Sequence, residues 1–327
     1  MGRLEQRTGS VPRSPRRTLQ KAQWTRVICG RTLGACIVCL ILSLSSCGRS
    51  SKPIIPPPPI SPRTTIDDYP VWRPDGSAVA YCHLDTTLVS TSYPTGIYIY
   101  ELPSGPRTLL RTGAAYALDW STDGTQISYS SNGIHVINAD GTGDSQVLPS
   151  PSFNPSWSPT SDMLAYDTPR SNPGAGSLIW LFDLQLSTER DISTHGVGEW
   201  REPTWSPDGS RLLHTRYVTG GTPFPEVFAM DTSGSNGVRL TFNNVLDRDP
   251  AWSRLGDYIA WARFPGMIGE IWIMRTDGSV QTFLVRGERP QWSKVSDEIL
   301  FVDPYAPSNS QIAIIASDGT GLRHLTP

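Results

Sequence analysis

The 327-residue chain has little with which to cross-link itself. Of its five cysteines, Cys29, Cys36 and Cys39 fall within the first 46 residues, and Cys47 follows directly. Only Cys82 stands in the body of the chain, so no intradomain disulfide is expected and packing must supply the stability. Long amphipathic helical patterns are scarce. No Gly-x-Ser-x-Gly nucleophile elbow occurs. The five histidines, His83, His135, His195, His214 and His324, are scattered without metal-ligand spacing. Asp67, Asp68, Asp247 and Asp249 have the oxygen chemistry for calcium, but an Asp at such a position more commonly caps a turn. Catalysis, cofactor and metal are therefore not expected. A basic surplus is missing too. Residues 1–32 hold eight of the 28 basic side chains and one of the 30 acids, so the rest carries 20 against 29. A body with a net charge near −9 excludes nucleic acid as the natural partner.

The first 46 residues differ in kind from the rest. Their basic segment leads into the uncharged run "LGACIVCLILSLSS", Leu33–Ser46. Fourteen helical residues rise about 21 Å, short of a bilayer core of about 30 Å, so residues 1–46 read as a secretory signal. The run ends in "LSSC", which resembles a bacterial lipobox. That resemblance implies cleavage before Cys47, lipid attachment there, and stable anchoring by two or three acyl chains. Residues 47–65, rich in Ser and Pro with four consecutive prolines, read as a stiff tether. The implied address is the bacterial cell envelope. Where the host has an outer membrane, its periplasmic face is favoured, because Gly48 rather than Asp follows the cysteine.

From residue 66 onward a pattern recurs six times. A tryptophan precedes a turn and an alternating apolar run, as in "PTWSPDGSRLLHT". The tryptophans are Trp72, Trp120, Trp157, Trp205, Trp252 and Trp292, spaced 48, 37, 48, 47 and 40 residues apart. Each is followed by a second half such as "EIWIMRTDGSVQTFLV". In "SPDG" the proline presets one turn dihedral and the glycine closes in a left-handed conformation, giving a tight hairpin. "DG" in "RTDGSV" does the same later in the unit. Four short strands per unit of roughly 43 residues indicate an all-β, six-bladed β-propeller of four-stranded antiparallel blades. Each tryptophan is the expected wedge between blades. "W-S-P-D-G" together with "IWIM-x-x-DG" resembles the TolB-type, WD-repeat-like propeller repeat, and the resemblance runs from Tyr69 to the C-terminus. TolB itself carries an α/β domain before its propeller, whereas here a proline tether precedes the first repeat.

Two sets of residues are candidates for binding. The tight turns share one face, so the long irregular connections share the other. These supply Tyr93, Tyr217, Phe224, Phe264 and Tyr305. Loops on a rigid scaffold commonly bind, and aromatics are favoured at interfaces; the same rings can also pack down onto the blades. The second set stands four residues before each tryptophan: Asp68, Tyr116, Phe153, Arg201, Arg248 and Glu288. Equivalent positions should converge on the channel mouth, where Arg201 and Arg248 would clasp a carboxylate; a self-neutralising ring around a water-filled channel is the alternative. The resulting expectation is a monomeric, non-enzymatic, lipid-anchored envelope module presenting a propeller face to a protein or peptide. The competing expectation is a propeller enzyme or carbohydrate-binding protein using the channel mouth.

Overall fold

Alternating side chains and closely spaced turn signals leave each segment one way to bury itself, as a strand in a small sheet. The computed structural model describes residues 65–86, 93–169, 176–193, 199–217, 223–306 and 311–325. The signal segment, Cys47 and the proline-rich stretch up to residue 64 lie outside the described residues. Every regular element among them is a strand, and the 24 strands form six four-stranded sheets. Each sheet takes four consecutive strands, paired antiparallel in chain order. Blade 1 runs through Thr65–Trp72, Ala78–Asp85, Gly96–Glu101 and Arg107–Thr112. The inner strands of blades 2 to 6 are Tyr116–Trp120, Phe153–Trp157, Trp200–Trp205, Leu246–Trp252 and Glu288–Trp292.

Six apolar clusters join neighbouring blades, and each contains one repeat tryptophan. Trp120 packs with Val71, Ala80 and Ile97 of blade 1, and Trp252 with Leu213, Val227 and Leu240 of blade 4. All six indoles are buried, at 4–8% exposure. Burying so large a ring is the main reason one blade adheres to the next. The Trp205 N–H also donates to the Ser156 carbonyl of blade 3 (3.1 Å).

Among the described residues the ring closes by packing, without an added strand. Trp72, Val79, Tyr81 and Tyr98 of blade 1 meet Leu300, Val302, Ile312 and Ile314 of blade 6. Across the same seam the Asp67 N–H donates to Gln311 Oε1 (2.8 Å), and Arg289 Nε contacts Asp68 Oδ1 (2.5 Å).

The turns follow the expected chemistry and add a detail. In "SPDGSR" the Gly209 N–H donates to the Ser206 carbonyl (2.9 Å), with Gly209 at φ 72°. Asp208 Oδ1 accepts from the Ser206 hydroxyl, the Ser210 N–H and the Ser210 hydroxyl (2.6, 3.0 and 2.9 Å). The same aspartate-to-Ser/Thr clamp recurs at Asp75, Asp123, Asp140 and Asp318.

Candidate functional site: the axial channel

Each inner strand carries one extra residue. The pairing advances three steps on the inner strand against two on its neighbour, from Asp68/Cys82 to Val71/Ala80 in blade 1 and from Arg201/Thr215 to Thr204/Leu213 in blade 4. The same bulge occurs in the other four blades. In every blade the residue three places before the tryptophan takes a left-handed conformation: Tyr69, Ala117, Asn154, Glu202, Asp249 and Arg289, with φ between 49° and 56°. None is glycine, so each carries strain that the surroundings must hold.

The holding groups come largely from the preceding blade. Bulging frees an N–H from the strand ladder, and a side chain accepts it. The Asn154 N–H donates to Ser130 Oγ (3.2 Å), the Glu202 N–H to Asp167 Oδ1 (3.2 Å) and the Asp249 N–H to Glu202 Oε2 (3.0 Å). Asp119 Oδ2 likewise accepts from the Trp157 N–H (2.7 Å). These carboxyls are withdrawn from water. Burial pushes Asp119 up to about 6 and Asp167 up to about 7. Burial and then the Asp249 charge push Glu202 up to about 7. Arg289 behaves oppositely: burial disfavours its charge, but Asp249 and Asp68 raise its pKa above the usual arginine range.

These six residues line a central cavity of about 280 Å³. Its wall includes the indoles Trp72, Trp120, Trp157, Trp205 and Trp292. It extends to the tight-turn residues Pro74, Thr122, Pro159, Pro207 and Lys294. The cavity thus runs from the bulge ring toward the tight-turn face.

None of Asp68, Tyr116, Phe153, Arg201, Arg248 and Glu288 lines this cavity; their immediate successors do. Tyr116 and Phe153 are exposed. Arg201 is paired with Glu199. Arg248 lies 3.2 Å from Asp249 and 3.4 Å from Glu288, so both arginines are already engaged by carboxylates. A proline two places before the tryptophan, present in five repeats, was the available signal for the bulge, because proline inside a strand is confined to edges and bulges.

The loop aromatics are spread around the rim. Tyr93 lies over the Arg107 guanidinium (4.4 Å) and Phe264 over that of Arg248 (4.7 Å). Tyr217 and Phe224 are about two-fifths exposed, and Tyr305 is half-buried.

The described histidines sit in four different blades, and none lines the cavity. His83 Nδ1 lies 2.6 Å from Asp67 Oδ1. His135 stacks on Tyr129. His214 is stacked against Trp200 and Phe228, and burial pushes it down to about 3. His324 contacts Asp303 (2.9 Å). His195 lies outside the described residues. Asp67 and Asp247 are held by Arg107 and Arg263 (3.6 and 2.9 Å). Among the described residues no group of three or more His, Cys, Asp or Glu is placed to hold a metal ion.

Known proteins share this architecture. A putative TolB from Agrobacterium tumefaciens superposes with a TM-score of 0.58 at 20% identity, over 68% of this chain and 84% of that one. TolB from Acinetobacter baumannii gives 0.60 at 17% identity, over 80% of this chain and 63% of its own length. An oligogalacturonate lyase in complex with manganese gives 0.55 at 11% identity, over 80% and 77%. At such identities the likeness is one of fold alone. No curated protein matches. The family model described as the TolB beta propeller domain matches residues 133–327, more than half of the sequence. The chain therefore belongs to the TolB beta-propeller domain family.

Proposed function

We propose that this chain is a non-enzymatic binding module of the bacterial envelope. It is held to the membrane by lipid on Cys47, works as a monomer, and offers its propeller to a protein or peptide partner. Where the host has an outer membrane, its periplasmic face is the proposed site. The observation that carries this reading is the cavity at the axis. It is lined by charged, polar and aromatic side chains on strained backbone, with Asn154, Glu202 and Asp249 each braced from the preceding blade. Such a preorganised surface costs little to order on binding. The family and the lipobox-like "LSSC" support the envelope address.

The experiment is capture of envelope proteins on the full chain and on Ala117→Tyr. Ala117 lines the cavity on the same left-handed backbone that carries a tyrosine at Tyr69, so a phenol introduced there is expected to fill the cavity. A partner retained by the unaltered chain and lost by the variant, at equal melting temperature, is the expected result. Retention of nothing above a bare matrix overturns the reading. For the anchor, labelled palmitate should enter the unaltered chain and not Cys47→Ala; label in both refutes it.

A further inference from the structure

The long-loop end of the channel carries more acid than base. Glu202 and Asp249 line the cavity, and Asp68, Asp167, Glu199 and Glu288 stand within electrostatic range beside the bulge ring, against three arginines. Each guanidinium is already occupied: Arg201 by Glu199, Arg248 by Asp249 and Glu288, and Arg289 by Asp68 and Asp249. Glu202 has no cation within ion-pair distance among the described residues. Its carboxylate accepts only the Asp249 N–H (3.0 Å) and the Thr215 hydroxyl (3.2 Å). Two adjoining buried oxygens also go unmatched. Asp167 Oδ2 accepts no hydrogen bond, although that residue is 1% exposed. Asp249 Oδ2 lies near Arg248 Nε but accepts no aligned hydrogen bond. Buried carboxylate oxygens without donors are costly, and a cation with several donors in the cavity would relieve Asp249, which is on its wall, whereas Asp167 lies behind the wall and is tied to it through Asn154 and the Glu202 N–H.

We propose that the channel takes a primary ammonium group of a peptide, a lysine side chain or a free N-terminus, and seats it against Glu202. This rests on the binding reading above and names the chemistry of its ligand. It reverses the sign expected from the sequence, where Arg201 and Arg248 would have clasped an anion. Asp249 and the Asn154 amide, both on the cavity wall, complete the shell. Three N–H donors match three acceptors in different blades. Length favours a peptide. From the bulge ring each strand runs three residues to its tryptophan, roughly 10 Å, and the turn residues stand two places beyond. A lysine side chain cannot span that distance alone, so the main chain must enter with it along the proline and indole wall. Lys294, at the turn end, has no ion-pair partner among the described residues and lies within electrostatic range of Asp119. The segment that fits therefore leads with its cation and trails carbonyls or an acid.

The test uses the full chain in detergent and its tryptophan fluorescence, because five wedge indoles line the cavity. The probes are acetyl-Gly-Ser-Lys-Ser-Gly-amide and its norleucine and glutamate counterparts. The lysine peptide should bind about tenfold more tightly than the norleucine one, the scale of one charge-assisted contact. Glu202→Gln should remove that preference. Equal affinities, tighter binding of the glutamate peptide, or a preference surviving in Glu202→Gln each overturn the proposal. So does saturable quenching by calcium chloride alone that Glu202→Gln abolishes. A second measurement needs no variant. Glu202 faces Asp249, Arg248, Asp167 and Thr215, and it takes up a proton near neutrality. The lysine-over-norleucine preference should therefore shrink as pH falls from 8 to 5.5; a constant ratio counts against it. Envelope capture separates the two readings. Partner loss in Ala117→Tyr with full retention in Glu202→Gln sinks the ammonium and leaves the binding module standing.

Discussion

Tryptophan, aspartate and glutamate set the behaviour of this chain residue by residue. Trp120 fills the space between blades 1 and 2, so Trp120→Ala should cost about 3–5 kcal/mol in denaturant unfolding. A loss below 1 kcal/mol would mean the indole is not the wedge. The buried acids fix a pH dependence. Asp119, Asp167 and Glu202 have folded values of about 6, 7 and 7, all above the ordinary carboxyl value near 4. The folded chain thus holds their protons after the unfolded chain has released them. Stability falls as pH rises from about 4 through 7. The turn aspartates act at the other end. Hydroxyl and N–H donors keep Asp75, Asp123 and Asp208 below their ordinary value, so their contribution is lost as pH falls below about 4. Melting temperature should peak between about pH 4 and 5 and decline toward 8. Asp167→Asn should flatten that decline, and an unchanged slope would refute the assignment.

At the scale of the element, the hairpin turn was readable and the bulge was not. "SPDG" names its turn because proline and glycine each fix a dihedral. The chain also writes Ser or Thr after most of these glycines, a regularity whose meaning appears only when both its N–H and its hydroxyl are seen on the aspartate. Asp208→Ala should cost about 1 kcal/mol, and Asp140→Ala, in another blade, should add to it independently. Gly209→Ala should cost about 1–2 kcal/mol, from its positive φ and a Cβ 2.5 Å from Thr160 Oγ1. A neutral result at Gly209 would contradict the turn geometry. The inner strand was harder to read. Counting in twos back from the tryptophan assumes an unbroken ladder, and one inserted residue exchanges the position facing the axis for its neighbour. So Arg201 was visible as a candidate, while Glu202, beside it, carries the unpaired charge. Pro203 marked the break, but as a statement about backbone rather than about chemistry.

For the molecule as a whole, repetition made the number of blades legible and left the ligand silent. Six similar units must arrange themselves around an axis, yet what the axis holds depends on the few positions where the units differ. At the bulge ring, the variation among Tyr69, Ala117, Asn154, Glu202, Asp249 and Arg289 distinguishes one side of the channel from another. Closure was equally unwritten, because consecutive strands fill every sheet and, among the described residues, no exchanged strand latches the ends. Gln311→Ala, which removes the bond to Asp67, should speed amide exchange in Thr65–Trp72 before it does so in blades 3 and 4. Uniform acceleration around the ring would deny the seam any special weakness. Five of the six junctions between neighbours are bridged by the polypeptide, and the sixth is held, among the described residues, by side-chain packing, the Arg289–Asp68 contact and the bond from the Asp67 N–H to Gln311. Mechanical tension applied at Thr65 arrives at that junction with no covalent bond across it to share the strain. The first strand should therefore peel away at lower force than any other, making this corner of the ring a built-in release point under load.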